Sequence, residues 1–180
     1  VTIARQEEYL ALQRLTRTRY EITSSLARAK QHFIEALYYR LNKLVTVDKE
    51  NIKTSIFGAT MLSIVTDSKT IDEITEMPIE DLIDYLQTKG RGRFSDPEDL
   101  AKAIRKAVRG SYRLGKVMKD SIDAVLSVYY TEIKTNQKLI KNLDKAITDI
   151  VQALPEERIL QSIPGIGPVY SAGIIAEIGS

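Results

Sequence analysis

The chain contains no cysteine and a single histidine, His32. Without cysteine there is no disulfide framework, no thiolate metal site and no cysteine nucleophile. The composition fits a reducing compartment, and a cytoplasmic location is the expectation. One histidine cannot supply a histidine-based metal site or a catalytic triad from this chain alone. No apolar run reaches the length of a membrane span and no signal peptide is visible, so no membrane is expected among the partners. Net charge is small as well: 26 Lys and Arg against 24 Asp and Glu leave a formal +2, too little for bulk electrostatics to announce a nucleic-acid binder. What remains is a chain of 180 residues, 43% hydrophobic, long enough for one or two domains with a sizeable core. It begins at Val1 and stops at Ser180 just after an apolar run, which reads as a piece of something longer.

The charge is unevenly placed. Residues 1–49 carry nine Lys and Arg against five Asp and Glu, residues 70–84 carry six acids and no base, and residues 89–119 carry ten bases against three acids. Hydrophobic spacing is just as organised. Glycine and proline are missing from 4–44, and Leu12, Leu15, Ile22, Leu26, Ala29, Phe33, Leu37, Leu41 and Leu44 recur at a helical period, which predicts one long helix. Arg19 interrupts the stripe, with a stem long enough to cover apolar surface. Residues 45–50 read as a connection, and 51–69 as a short helix through Ile56, Phe57, Met61, Leu62, Ile64 and Val65. Thr70 and Glu73 have the spacing of a capping box. Pro78 stands at an expected first helical position, followed by Ile79, Leu82, Ile83 and Leu86. Gly90-Arg91-Gly92-Arg93 predicts a loop, and Asp96-Pro97 an N-cap and first residue for a helix to about Arg109, with Gly110 and Gly115 as breaks or kinks.

Residues 117–154 predict a second long helix ended by Pro155. Its positions Ile122, Leu126, Tyr129, Ile133, Asn136, Ile140, Leu143, Ile147, Ile150 and Leu154 alternate in steps of four and three, a heptad seam with Leu126 at a and Tyr129 at d. Apolar Leu139, Ala146 and Ala153 at g, with Tyr130 and Val151 at e, widen that face beyond a two-stranded seam. Two readings stand: self-association as a dimer or higher oligomer, with Asn136 fixing register, or an intramolecular hairpin with the first long helix. The expected fold is all-α, two long helices (about 4–44 and 117–154) with a small helical insertion, as a coiled coil or multi-helix bundle. The expected segments are 1–49 for the first helix, 50–110 for the insertion, 111–154 for the coiled-coil helix and 155–180 for a helix-hairpin-helix element.

That last element is the strongest local signal. Ile163-Pro164-Gly165-Ile166-Gly167-Pro168 precedes small Ser171 and Ala172. A short helix ends near Ser162, and the next starts at Pro168. The turn at Gly165, Ile166 and Gly167 lets a phosphate approach the backbone at a helix N-terminus, without reading sequence. Val169 and Tyr170 stand where strong binders of this kind often carry Lys or Arg. The alternative is a tight, buried interhelical turn. Arg91, Arg93, Lys102, Arg105, Lys106, Arg109 and Arg113, continued by Lys116 and Lys119, form the densest basic candidate for nucleic acid, unless they pair with the acidic 72–84 block. Arg14, Arg17 and Arg19, and the stripe of Lys134, Lys138, Lys141 and Lys145, are further candidates, the stripe otherwise a solvated face. Asp72, Glu73, Glu76, Glu80, Asp81 and Asp84 sit near helix starts, where acids favour the dipole, and read as that rather than as a metal cluster. His32, beside Phe33, reads as a packing or surface residue. No nucleophile–base–orienter set and no phosphate-loop motif is present, so the chain alone reads as non-catalytic.

The stretch Gln161-Ser162-Ile163-Pro164-Gly165-Ile166-Gly167-Pro168-Val169-Tyr170-Ser171-Ala172-Gly173-Ile174-Ile175-Ala176-Glu177-Ile178-Gly179 resembles the start of the C-terminal domain of the DEDD-type insertion-sequence transposases (insertion-sequence family one-ten, the bridge-RNA-guided recombinases). Tyr9-Leu10-Ala11-Leu12-Gln13-Arg14-Leu15-Thr16-Arg17-Thr18-Arg19-Tyr20 resembles the helix after their N-terminal nuclease-like domain. The resemblance implies a RuvC-like domain with four magnesium-binding acids upstream, a coiled-coil insertion over most of this chain, and a domain with a serine nucleophile downstream. No catalytic residue and no cofactor is then expected in the chain itself, since Ser171 and Ser180 do not match the nucleophile. DNA and a guide RNA are the implied partners of the parent protein. The rival expectations are a free-standing helical adaptor for protein partners and a DNA-repair accessory protein with one helix-hairpin-helix.

Overall fold

The apolar stripe of the N-terminal segment forms the long helix its spacing predicts. The computed structural model describes residues 7–46 and 54–178, with the backbone alone at 68–70. Eight helices occur among the described residues, and no strand: α1 Glu7–Thr46, α2 Ala59–Thr66, α3 Ser68–Glu76, α4 Ile79–Gly90, α5 Pro97–Gly110, α6 Lys116–Val151, α7 Pro155–Gln161 and α8 Pro168–Ile178. The fold is all-α, with long helices at both expected places. The expected helix start at residue 4 and most of the 45–50 connection lie outside the described residues, as does the Thr70 side chain.

Several boundaries differ from expectation, each for a local reason. Of the expected 51–69 helix, the part from residue 54 is described and is helical from Ala59, and α3 begins at Ser68, two residues before the expected cap. Pro78 stands one residue outside α4, in extended conformation. Gly90 belongs to α4 rather than to the loop, because its missing side chain leaves room for the Phe94 ring: a Cβ there would lie 2.5 Å from it. α6 ends at Val151, and Pro155 starts α7. Asp96 does cap α5, its carboxylate accepting the Asp99 N–H at 3.0 Å with Pro97 at the first helical position.

The chain packs as two compact units. One takes residues up to Arg28 and from Ile133 onward, and the other runs Ala29–Glu132. These do not follow the four sequence segments, because each long helix contributes to both units. In the terminal unit Tyr9 and Leu12 of α1, Ile147 and Val151 of α6, Leu154, and Ala172, Ile175 and Ala176 of α8 close one core, with Leu15, Ile150 and Leu160 against it. Burial of each large side chain contributes about 1.5–3 kcal/mol. Arg19 holds Asp144 at the rim of that packing. Asn136, a d position of the seam, is buried with its Nδ2 donating to no acceptor among the described residues.

In the central unit α4 and α3 pack on α5, and α2 on α3. Here α1 departs from the continuous helix expected: Leu41 takes φ −140° and ψ 58°, a kink. Side chains and backbone from 111–112 enter the turn. The Lys43 N–H donates to Ser111 Oγ at 3.4 Å and the Tyr112 N–H donates to Asn42 Oδ1 at 3.1 Å. Insertion of an outside acceptor into the helix ladder is a sufficient cause for such a kink. Just before it lies Arg40, only 9% exposed. Its Nη2 lies 2.9 Å from Asp72 Oδ1 and its Nε 3.2 Å from Asp123 Oδ1, and Lys119 also binds Asp72.

Removing one partner from a buried pair leaves a charge uncompensated. Asp123 is mostly buried while half of Asp72 meets solvent. Asp123→Ala should therefore cost the central unit about 2 kcal/mol, below the cost of breaking a fully buried pair, measured by urea unfolding at neutral pH; an unchanged midpoint would show Arg40 satisfied without it. Burial pushes the Asp72 carboxyl up, but the Lys119 and Arg40 hydrogen bonds and charges outweigh it and hold its pKa below the ordinary value. A depressed carboxylate stabilises the fold above its unfolded pKa, and the contribution is lost as pH falls through the lowered folded value. Asp72→Asn should thus lower stability at neutral pH and flatten the loss of stability in acid. An acid limb as steep as wild type would sink this assignment.

Candidate nucleic-acid interface

The hairpin of the terminal unit is built by two prolines. Leu154 and Pro155 open α7, and Pro168 opens α8, with fixed φ suited to a first turn. Between them the Ile166 N–H donates to the Ile163 carbonyl at 3.1 Å, and Gly165 takes φ +89°, a conformation that suits glycine. Residues 163–165 are exposed and 166–168 half-exposed, so the alternative of a buried interhelical turn does not hold. A Cβ at Gly165 or Gly167 would meet nothing within 4 Å, so the chain leaves free space over both glycines. Beneath the turn Ser171 is fully buried, its hydroxyl without a partner among the described residues, and α7 packs on α8. Ile163 and Tyr170 are exposed beside it. Tyr9 ties α1 to α7 by donating to Glu156 Oε1 at 2.9 Å, which raises the Tyr9 pKa.

The densest basic candidates lie in the central unit. α5 buries Leu100, Ala101, Ala103, Ile104 and Ala107, which turns Lys102, Lys106 and Arg109 outward at helical spacing. The structure separates these bases by what they already do. Arg105 is half-buried. Arg109 donates through Nε and Nη2 to the Thr75 carbonyl at 3.1 and 2.8 Å. Lys102 pairs with Glu98 one turn back, and that hydrogen bond raises its pKa. Arg113 is exposed beyond the end of the helix, and Arg91 and Arg93 are exposed on the turn after α4. Pairing with the acidic block includes Arg40 and Lys119, both on Asp72. In the terminal unit Arg17 is held by Glu177, Nε to Oε1 at 3.0 Å. Lys134, Lys138, Lys141 and Lys145 form the expected exposed stripe on α6.

The heptad seam is partly covered by the chain. Leu126, Ile133, Asn136 and Ile147 are buried, and Tyr129, Ile140, Leu143 and Ile150 half-buried. Val125, Val128 and Leu139, off the a and d positions, stay exposed on α6. His32 is exposed, stacked on the Tyr129 ring with centroids 5.5 Å apart, its Nδ1 3.1 Å from Glu35 Oε2, which lowers the Glu35 pKa.

Sequence reasoning misses the tyrosines. Tyr38, Tyr39 and Tyr112 cluster on the central unit, with Tyr38 edge-on to Tyr39 at 6.2 Å and to Tyr112 at 6.5 Å. A hydrogen bond with Tyr112 raises the Tyr38 pKa, and Tyr112 stays 58% exposed. The signal for them is compositional: nine tyrosines against three phenylalanines leave many rings with a polar tip that tolerates water. Among the described residues no three or more His, Cys, Asp or Glu side chains form a group that could hold a metal ion. No helix among them is long and apolar enough to cross a membrane. Comparison of the chain with family models, with curated proteins and with solved structures gives no match.

The two glycines of the hairpin differ in a testable way. Gly165→Ala should destabilise the terminal unit by about 1 kcal/mol, from the left-handed backbone alone. Gly167→Ala should be nearly neutral in stability, because its φ is not positive and its surroundings are open. Thermal unfolding compares them, and an equal loss from both would place Gly167 under a constraint that this geometry lacks.

Proposed function

We propose that this chain is the helical, nucleic-acid-engaging and oligomerising module of an insertion-sequence transposase. In that role it spaces the parent's two catalytic parts in the cytoplasm and helps to hold DNA or a guide RNA. The observation that carries the reading is the Gly165–Ile166–Gly167 turn at the head of α8, exposed at Gly165, half-exposed at Ile166 and Gly167, and open above both glycines. It lies inside the segment that resembles the transposase C-terminal domain. Unpaired amides at the start of an eleven-residue helix suit a phosphate, and a backbone grip of this kind is indifferent to base sequence. The exposed bases of the central unit add an electrostatic component without base readout.

Binding to nucleic acid should therefore be salt-sensitive and largely sequence-independent, with the logarithm of the affinity falling linearly with the logarithm of salt. Glu substitutions at Lys106 and Arg113 should weaken binding more than the same change at Lys138 and Lys145. Fluorescence anisotropy on a labelled oligonucleotide measures both. Binding indifferent to salt, or equal losses from the two pairs, would overturn the choice of surface, and absence of binding at low salt would overturn the nucleic-acid reading itself.

Self-association belongs to the same proposal, and it shifts in position. Because the a and d residues are buried or half-buried within the chain, exposed apolar side chains of α6 such as Val125 and Val128 are the ones we propose to bury in a partner copy. Sedimentation equilibrium at tens of micromolar should show a dimer or higher species, reduced by Val125→Lys with Val128→Lys. A wild-type chain that stays monomeric there would refute it.

A further inference from the structure

A cavity of the central unit is lined by bases and by no acid among the described residues. It encloses about 390 Å³ between α2, the turn after α4, and α6, within the range of small-ligand pockets, about 300–1,000 Å³. Lys89, Arg91 and Arg93 supply three cations, Thr60 and Ser63 supply hydroxyls, and half-buried Tyr130 supplies an aromatic ring. Several other cations of the same unit have answers: Arg40 and Lys119 bind Asp72, Arg109 binds a carbonyl, and Lys102 binds Glu98. Here the Lys89 ammonium faces a ring, 5.7 Å from the Tyr85 centroid.

The backbone at this cavity is strained as well. Arg91 takes φ 52° and ψ 44°, and it is the one non-glycine residue with positive φ among the described residues. The position closes α4, with the Gly92 N–H donating to the Gln87 carbonyl at 3.2 Å. Glycine is the usual occupant of such a position because it has no Cβ to crowd the backbone. An arginine there gives up stability and places a cation on the rim of a cavity already basic. Backbone conformations of this kind cluster at ligand sites.

We propose that this cavity binds one nucleotide of single-stranded nucleic acid. Arg91, Arg93 and Lys89 hold its phosphate, Thr60 and Ser63 donate to phosphate or sugar oxygens, and its base stacks on Tyr130. Cations that follow the backbone, beside an aromatic that accepts any base, are the usual chemistry of sequence-tolerant single-strand binding. A base paired in a duplex has both faces stacked and cannot lie on the ring, so single strands are preferred. The proposal rests on the nucleic-acid reading above, and it names a site and a strand state that reading leaves open.

The test is anisotropy of the full chain with a labelled oligothymidine, compared with the same oligothymidine annealed to its complement. The single strand should bind more tightly. Arg91→Gln with Arg93→Gln should weaken it about tenfold or more and reduce the salt slope by about 0.7 for each phosphate that is no longer neutralised. Tyr130→Leu should weaken it by about tenfold, with Tyr130→Phe restoring it. Arg91→Gly separates binding from folding: it should raise the melting temperature by about 2–4 °C through release of the left-handed strain while weakening binding. If Lys106→Glu with Arg113→Glu abolishes binding while the Arg91, Arg93 and Tyr130 variants leave it intact, the cavity proposal falls and the broader reading survives. Equal affinity for duplex and single strand, with Tyr130→Leu silent, overturns it in favour of a phosphate-only surface. If no oligonucleotide binds at low salt, both readings fail.

Discussion

A buried guanidinium sets the terms for the central unit. Arg40 is a permanent cation on the inward side of α1, and removing it from water is costly unless carboxylates and hydrogen bonds replace the lost solvation. The unit brings two from different parts of the sequence, Asp72 on α3 and Asp123 on α6, and Lys119 shares Asp72. One residue thus ties three helices together, and its two bonds leave little freedom in how they meet. The kink at Leu41 follows immediately, with Asn42 and Lys43 bonded to the 111–112 segment that joins α5 to α6. Apolar burial supplies most of the free energy of such a unit, but it is non-directional. The charged network supplies geometry that the leucines do not.

Much of this is legible in residue spacing. The two long helices follow from apolar positions three and four apart, and the Asp96-Pro97 start of α5 from cap chemistry. The Gly-Ile-Gly hairpin follows from proline and glycine placement. These are local rules, in which neighbours in sequence decide the outcome. The kink at Leu41 is hidden from them because its cause, Ser111 and Tyr112, lies some 70 residues away. Gly90 misleads for a related reason: two nearby glycines suggest a turn, but one of them is there to admit Phe94. The heptad seam is legible as an inward face, while the identity of what covers it is not a local property. In the terminal unit Tyr9, Leu12 and α8 cover part of it, so the a and d pattern alone does not distinguish self-association from a hairpin.

The basic candidates show the same divide. Along the sequence Arg105, Lys106 and Arg109 form the densest run, because α5 displays side chains in register. In the fold Arg105 lies partly under its neighbours and Arg109 closes a carbonyl of α3. Density along the chain measures how many cations are near, not how many remain available. Availability depends on counter-charges brought in by other helices, and it shifts the open positive surface toward Arg91, Arg93 and Arg113. In the acidic block Asp72 alone takes up two cations, Arg40 and Lys119, and so removes them from the open positive surface.

Arg40 and Arg91 are the extremes of that division. The side chains are identical and both lie within the same compact unit. Arg40 is 9% exposed and meets two carboxylates, so its charge holds helices in register. Arg91 is exposed, lines a cavity whose described lining has no carboxylate, and sits on a backbone conformation that glycine would adopt with less strain. In the first case the fold would lose stability without the arginine, and in the second it would gain. A residue whose removal would strengthen the fold is explained by something outside the fold. For a cation beside hydroxyls and an aromatic ring, a phosphate with a base attached is the partner we propose.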